Sequence, residues 1–519
     1  MALATLTSRV LGMVREMVYM RFMGLGWVND AFQLAFMVPN LFRRLLGEGA
    51  LTAAFIPVFK EKEKLHGEKE MWRASNAVIS GLIVAACVII AVVMLGISIA
   101  LSVHQFDAKA ELMLRLLRVM FPYMLLVCLT AAFMGMLNAR GHFFIPAMGA
   151  TMLNVVMITS VLWLAPKFGV GLPVKERLPV QIFALAYGVL AAGVAQGAFQ
   201  MPTLWRDGFR YRWVSPWRDE TVRRVVTQMI PGTIGVAAFQ INVLTVQSLG
   251  FAVGDGVVAA FTGAVRLMEL PQGMFGISLA TFLLPTLSGL AAEKKFPEFR
   301  ATLKQGIGYL GFVNLIAAAM AFVMAEPIVR LLFEHGKFHA ADTRRVALTL
   351  MCLAPGLFMF SMVNILARAF YALKDITTPM KISITCLVLN LIFAAVLAYE
   401  YRDAAALAVA NTLSATFNVW LLIFALRKKL SRLDFDGLWQ SLMASLAAAI
   451  LAGEVAYCLR LLWEAHVGHT TLTHKLGEVF VPMICGGLLY LGVTLWLKVP
   501  GAHDILAMLG KRVKAVKND

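Results

Sequence analysis

The sequence predicts an all-α polytopic membrane protein of about fourteen transmembrane helices, arranged as two six-helix lobes plus two C-terminal helices. Three observations carry this reading. Of 519 residues, 60% are hydrophobic and 15% are charged, where a soluble globular chain is about a quarter charged. Apolar runs recur about every 35 residues, and each reaches the ~20 residues that cross a bilayer. Short motifs also repeat in order at offsets of 225 to 233 residues, as duplicated helix bundles would.

Read between charged or Gly/Pro-rich breaks, the spans fall at 2–24, 31–59, 75–103, 113–138, 143–166, 179–203 and 223–250. They continue at 257–288, 303–332, 343–372, 378–400, 404–427, 437–460 and 476–498. Runs 31–59 and 257–288 exceed the bilayer, so tilt or bending is expected, with Pro39, Pro57, Pro271 and Pro285 as bend points. The first span carries Arg9, Arg15 and Arg21 and no small-residue cleavage site follows it, so no cleavable signal peptide is expected.

Loops and tail on one side hold about 26 Lys and Arg against about 10 on the other, which puts both termini in the cytoplasm. Topology thereby explains much of the +17 net charge, and no nucleic-acid partner is expected. The basic groups lie at 60–73, 206–224, 294–304, 427–432 and 511–517. In 205–224, Trp205, Phe209, Tyr211, Trp213 and Trp217 alternate with arginines, as in an interfacial segment drawn to anionic headgroups. A plain positive-inside linker is the blander reading. The six cysteines are scattered singly, so neither disulfides nor a zinc site is suggested.

The repeat sets the domain division. Asp30 aligns with Asp255, Pro57 of "AAFIPVF" with Pro285 of "ATFLLPTL", and Pro146 with Pro379. The expected organisation is an N-lobe at 1–204 and an interfacial linker at 205–222. A C-lobe at 223–430, two helices at 431–498 and a basic tail at 499–519 follow.

Ionisable residues inside spans cost roughly 2.5–3.5 kcal/mol each at mid-bilayer, so they need a reason. The first two spans hold Arg9, Arg15, Glu16, Arg21, Arg43, Arg44 and Glu48, and the eighth holds Arg266 and Glu269. Glu16 and Glu48 cannot neutralise five arginines, which points to a net-positive pocket. Guanidinium matches phosphate with a bidentate fork, so a pyrophosphate on a lipid suits the pocket. The alternative is that the arginines pair with Glu48, Glu269 and carbonyls as interhelical glue. His335, His339, His466, His469 and His474 have no metal spacing, and no P-loop, nucleophile elbow or carboxylate pair marks an enzyme. Glu326 is expected to pair with Arg330 at i, i+4.

These residues carry a resemblance. "SRVLGMVRE" at 8–16, "NDAFQLAFMVPNLFRRLLGEGALTAAFIPVF" at 29–59, "RLMELPQGMFGISLATFLLPTLS" at 266–288 and "FYALKDITTPMKI" at 370–382 resemble the MurJ/MviN family. So do "FPYMLLVCLTAAFMGMLNARGHFFIPAMGATMLN" at 121–154 and "LFEHGKF" at 332–338. The family comprises bacterial lipid II flippases of the MOP exporter superfamily. The resemblance implies a central cationic cavity and a groove for the polyprenyl tail at helices 13 and 14. It implies essential arginines at Arg9, Arg15, Arg43, Arg44 and Arg266, and acidic positions at Asp30 and Glu48. Two departures stand out. Glu16 replaces the usual Asp, and only eight residues precede Arg9, which implies a shorter first helix or a start upstream of Met1.

The function expected is alternating-access export of undecaprenyl-pyrophosphate-linked peptidoglycan precursor in the bacterial cytoplasmic membrane. Lipid II and membrane lipids are the expected partners, with cell-wall synthesis proteins as further candidates. No cofactor is expected, and coupling to the membrane potential or to a monovalent cation is left open. Span 223–250 contains no Asp or Glu, so a carboxylate ion site there is not supported. The rivals are a MOP-type exporter of another polyprenyl-linked saccharide or of drugs, and a polyprenyl-phosphate transferase.

Overall fold

The computed structural model describes residues 2–47, 50–430 and 437–503. Glu48, Arg432 and the basic cluster 511–517 lie outside the described residues. Every regular element among the described residues is helical.

The first half runs through α1 (Ala2–Met23), α2 (Trp27–Phe42), a π turn (Arg43–Gly47), α3 (Ala50–Val103), α4 (Ala108–Met120) and α5 (Tyr123–Ala139). It continues with α6 (Phe144–Thr159), α7 (Val174–Arg206) and α8 (Glu220–Val253). The second half runs through α9 (Val257–Pro271), a π turn (Gln272–Ile277), α10 (Ser278–Ala292), α11 (Phe296–Val323), α12 (Ala325–Phe333) and α13 (Ala340–Leu353). Then come α14 (Gly356–Ala372), α15 (Thr377–Tyr401), α16 (Ala404–Lys429), α17 (Leu438–His466) and α18 (Leu472–Trp496). Local chemistry sets several ends. Asp219 caps α8 by accepting the Thr221 and Val222 N–H groups at 2.9 and 3.2 Å. Inside α3, Gly67 adopts φ +81°, which breaks the helical path within the charged stretch 60–73, ahead of the apolar run 75–103.

The same succession of breaks occurs in both halves. A helix, a π turn and a helix follow one another at α2–α3 and again at α9–α10. A bend of 44° separates α4 from α5, and one of 43° separates α13 from α14. Pro122 and Pro355 stand at these two bends, each as the N-cap residue of the following helix. Pro57 and Pro285 hold the same place in α3 and α10, as Pro146 and Pro379 do in α6 and α15. Asp30 and Asp255 do not correspond: Asp30 lies in the first turn of α2, whereas Asp255 precedes α9.

Among the described residues, eight helices are long and apolar enough to cross a membrane, and ten when each bent pair is one span. The sequence spans missing from those ten are 2–24, 31–59, 223–250 and 257–288. Each has a physical reason or a shortened form. The first carries three arginines and Glu16, while 31–59 and 257–288 are interrupted by π turns. In 223–250 and 257–288 the apolar helices counted are the shorter Phe239–Val253 and Leu279–Ala292.

Packing divides the chain into Met1–Ala259 and Ala260–Asp519. Helix α8, which sequence assigned to the second lobe beginning at 223, packs in the first unit against α3 and α2. The cores are apolar throughout: Phe32, Met120, Phe121 and Leu185 in the first unit, and Leu310, Leu366, Phe370 and Leu422 in the second. A further cluster of Phe312, Ala449, Ala452 and Tyr490 joins α17 and α18 to α11, and the Tyr490 hydroxyl donates to the Phe312 carbonyl at 2.6 Å.

Candidate functional site

Helix α1 presents Arg9 and Arg15 six positions apart in sequence but in different settings. Arg9 is exposed and has no side-chain partner among the described residues. Arg15 is mostly buried; its Nη1 donates to Asn154 Oδ1 of α6 at 3.1 Å, and its guanidinium lies 5.5 Å over the Tyr19 ring. Glu16 stands 3.8 Å away, too far for a hydrogen bond. Arg15 Nε is buried without an acceptor. A buried donor left unmade costs about 1–3 kcal/mol, so this arginine is poised to take another acceptor.

Arg43 and Arg44 open the π turn that follows α2. An i→i+5 turn widens the backbone locally and frees groups that an α-helix would pair, and such turns concentrate at functional sites. Both arginines are half-buried. Arg43 Nε donates to Asn40 Oδ1 at 2.7 Å, and Arg44 Nη1 reaches Gln240 Oε1 of α8 at 3.5 Å. In the second unit, Arg266 of α9 pairs with Glu269 at 2.8 Å, and both side chains are largely exposed. The second π turn follows three residues after Glu269.

Asp30 occupies a different environment from the arginines. Its carboxylate is fully buried, meets Lys109 of α4 at 3.0 Å, and accepts the N–H groups of Gly256 at 2.7 Å and Ala259 at 2.9 Å. Asp30 therefore caps the start of α9 from another helix. Lys109 completes the knot by donating to the Phe251 and Gly254 carbonyls, each at 2.9 Å. Glu48, the other predicted acid, lies outside the described residues.

The second unit contains an apolar cavity of about 1110 Å³. Its walls come mainly from α11, α13, α14 and α17, including Phe322, Leu348, Met351, Leu446 and Ile450, and the charged residues Glu326, Arg344, Glu454 and Arg460 also line it. Among the described residues, α18 contributes nothing to the lining.

Sequence reasoning missed a network at the junction of α12, α17 and α18. Arg330, buried, donates to Glu326 at 2.8 Å, to Glu464 at 2.9 Å and to Glu478. Arg460 donates to Glu326 at 2.6 Å, and Lys475 stands 3.7 Å from Glu334. The Glu326–Arg330 pair had a local i, i+4 signal, as did Arg460–Glu464, whereas Glu464 and Glu478 lie 134 and 148 residues from Arg330. Glu464, His469 and Glu478 bring ligand atoms within 4.8 Å of one another, but Arg330 already engages both carboxylates, which makes this an ion-pair network.

Comparison with known proteins adds the following. The family model described as lipid II flippase MurJ matches residues 20–476. The chain is similar to the probable lipid II flippase MurJ of Vibrio cholerae, with 31% identity over 99% of this chain and 95% of that protein. Its fold is similar to that of a lipid II flippase MurJ in an inward closed conformation, at 19% identity, a TM-score of 0.74, and coverage of 95% of this chain and 97% of that one. An inward-facing multidrug resistance MATE transporter of the MOP superfamily shares the fold at 15% identity and a TM-score of 0.65, covering 82% and 95% of the two chains.

Proposed function

The chain belongs to the MurJ family of lipid II flippases, and on that premise we propose that it carries undecaprenyl-pyrophosphate-linked peptidoglycan precursor from the inner to the outer leaflet of the bacterial cytoplasmic membrane by alternating access. The observation that carries the residue assignment is Arg15, a mostly buried guanidinium on a membrane helix whose Nε–H lacks an acceptor. A pyrophosphate oxygen supplies that acceptor and is held by charge-assisted bonds. Arg9, Arg43, Arg44 and Arg266 are the further cationic contacts in this reading, with the π turns letting the backbone at Arg43 and after Arg266 adjust as the headgroup moves. Glu269 is an ion-pair partner for Arg266 when substrate is away.

The polyprenyl chain stays in hydrocarbon, and the apolar cavity beside α17 accommodates part of it. The protein acts as a transporter, without bond-making chemistry of its own. Both termini face the cytoplasm in this reading, which the excess of basic residues in one set of loops supports. A potential negative inside favours outward passage of the anionic headgroup by about 2.3 kcal/mol per charge per 100 mV. The membrane potential therefore serves as a driving force without a dedicated cofactor. Cell-wall polymerising proteins are the partners that would consume the exported lipid.

Depleting the protein and counting lipid II on each leaflet tests this reading. Accumulation on the inner leaflet with loss from the outer one is expected, whereas an unchanged distribution overturns it.

A further inference from the structure

The segment after α7 is strapped onto α3. Asn76 Nδ2 donates to the Arg210 carbonyl at 3.0 Å, Val214 N–H to Ser80 Oγ at 3.4 Å, and the Tyr211 and Ser80 hydroxyls lie 3.3 Å apart. Arg73 meets Asp219 at 3.3 Å. A Cβ added to Gly81 would stand 3.3 Å from Pro216 Cβ, so the glycine lets the strap lie directly on the helix. This crossing falls where α3 changes from the charged stretch 60–73 to the apolar run 75–103, which is the level of a membrane–water boundary.

Between the strap, α3 and the first turns of α8 lies a cavity of about 1000 Å³. Its walls are apolar, from Val84, Val88 and Ile89 of α3 and Val226 of α8, while Trp217, Arg218 and Arg223 stand at its mouth. The Trp217 indole is 77% exposed. Arg218 and Arg223 have no side-chain partner among the described residues, whereas Arg73 and Arg224 beside them are committed to Asp219 and Glu61. Asp219 is thereby neutralised, and Glu220 alone opposes the two arginines at the mouth.

We propose that this cavity is a binding site for an anionic diacyl phospholipid such as phosphatidylglycerol. The acyl chains cover the valine-lined trough, and the phosphate engages Arg218 and Arg223 beneath the Trp217 ring. Free phosphate would satisfy the arginines and leave the trough bare. A zwitterionic lipid would cover the trough but bring its own cation to the arginines. The strap is held by α3 before any lipid arrives, so little ordering is lost on binding. The site shares no residue with Arg9, Arg15, Arg43, Arg44 or Arg266 and stands apart from the export reading.

The test uses full-length protein in phosphatidylcholine vesicles containing increasing phosphatidylglycerol with brominated acyl chains, which quench nearby indoles. Trp217 emission is isolated by subtracting a Trp217→Phe variant. Saturable quenching by brominated phosphatidylglycerol is expected, at a mole fraction about tenfold below that needed with brominated phosphatidylcholine. Arg218→Gln and Arg223→Gln should each weaken the preference about threefold, and both together remove it, while lysine at both sites keeps most of it. Both arginines are exposed and unpaired, so the variants are expected to fold normally. Equal quenching by the two lipids, an unaltered preference in the double glutamine variant, or displacement by millimolar inorganic phosphate would each overturn the proposal.

Discussion

Asp30 and Lys109 form an ion pair of 3.0 Å in which the carboxylate is fully buried and the ammonium nearly so. The same carboxylate caps the start of α9 through Gly256 and Ala259, so one side chain ties α2, α4 and α9 together. Replacing it with alanine strands a buried cation and uncaps a helix. Lys109 keeps two carbonyls and Asp255 at 3.3 Å, which softens the loss. Asp30→Ala is expected to cost about 3 kcal/mol, the low end for breaking a buried pair. Asp255→Ala, which removes a mostly exposed partner, should cost under about 1 kcal/mol. Thermal melting of the two purified variants decides this, and a wild-type melting temperature for Asp30→Ala would refute the cap-and-pair role.

Asp375 lies in the loop between α14 and α15. Lys429 bonds to its carboxylate, the Thr378 N–H donates at 3.0 Å, and the Thr378 and Thr377 hydroxyls donate at 2.8 and 3.1 Å. The Lys429 ammonium foremost, with these donors, holds the carboxyl well below the usual carboxylate range. A lowered folded pKa stabilises fully above the unfolded value of 3.8, and that stabilisation fades as pH falls towards the folded value. The melting-temperature gap between wild type and Asp375→Asn should therefore be constant from pH 7 to about pH 5 and shrink below about pH 4. A gap that stays the same at pH 3 would show that the carboxylate contributes nothing through its charge.

The apolar cavity beside α17 gives a separable test of chain binding. Leu446 and Ile450 line it and are themselves partly exposed, so larger side chains there fill space without disrupting the buried Ala449 and Ala452. A Leu446→Trp, Ile450→Trp variant is expected to lower export of full-length lipid II while leaving binding of a headgroup analogue with a short chain unchanged. Equal loss of both would place the effect in the headgroup site, and no loss of either would remove the cavity from the mechanism.

Helix positions and the repeated prolines Pro57 and Pro285 were legible because their signals are local, whereas the paired bends at Pro122 and Pro355 had not been singled out. Apolar runs, Pro57 and Pro285, and charges inside hydrophobic stretches are all read within one window of sequence. The π turns were not legible, since "RRLLG" and "QGMFGI" contain nothing that distinguishes i→i+5 from i→i+4 bonding. Asp30 was placed among the acidic positions by resemblance, and its partners, backbone N–H groups 226 and 229 residues away, gave no local signal. Helix α8 was assigned by counting spans, whereas it packs on α3 through apolar contacts far apart in sequence, such as Val225 with the cluster of Phe59 and Val78.

Two kinds of arginine occupy this protein, and substitution should separate them by what is lost. Arg330 is buried among Glu326, Glu464 and Glu478, so Arg330→Ala leaves three acids without their main cation. Breaking such a network costs about 3–5 kcal/mol, and the variant should fail to accumulate. Arg266 instead pairs with Glu269 about half exposed, and such a pair is worth at most about 0.5 kcal/mol to the fold. Arg266→Ala should accumulate normally, as should Arg43→Ala. Loss of one charge-assisted contact to phosphate costs about 1.5–3 kcal/mol, so their lipid II affinity should fall some tenfold to a hundredfold. Lysine at Arg43 or Arg266 should restore part of the export if charge suffices, and little if the planar fork is required. Membrane abundance measured beside the leaflet distribution of lipid II distinguishes these outcomes. Normal export by an Arg43→Ala, Arg44→Ala double variant would refute the assignment of these arginines to the substrate.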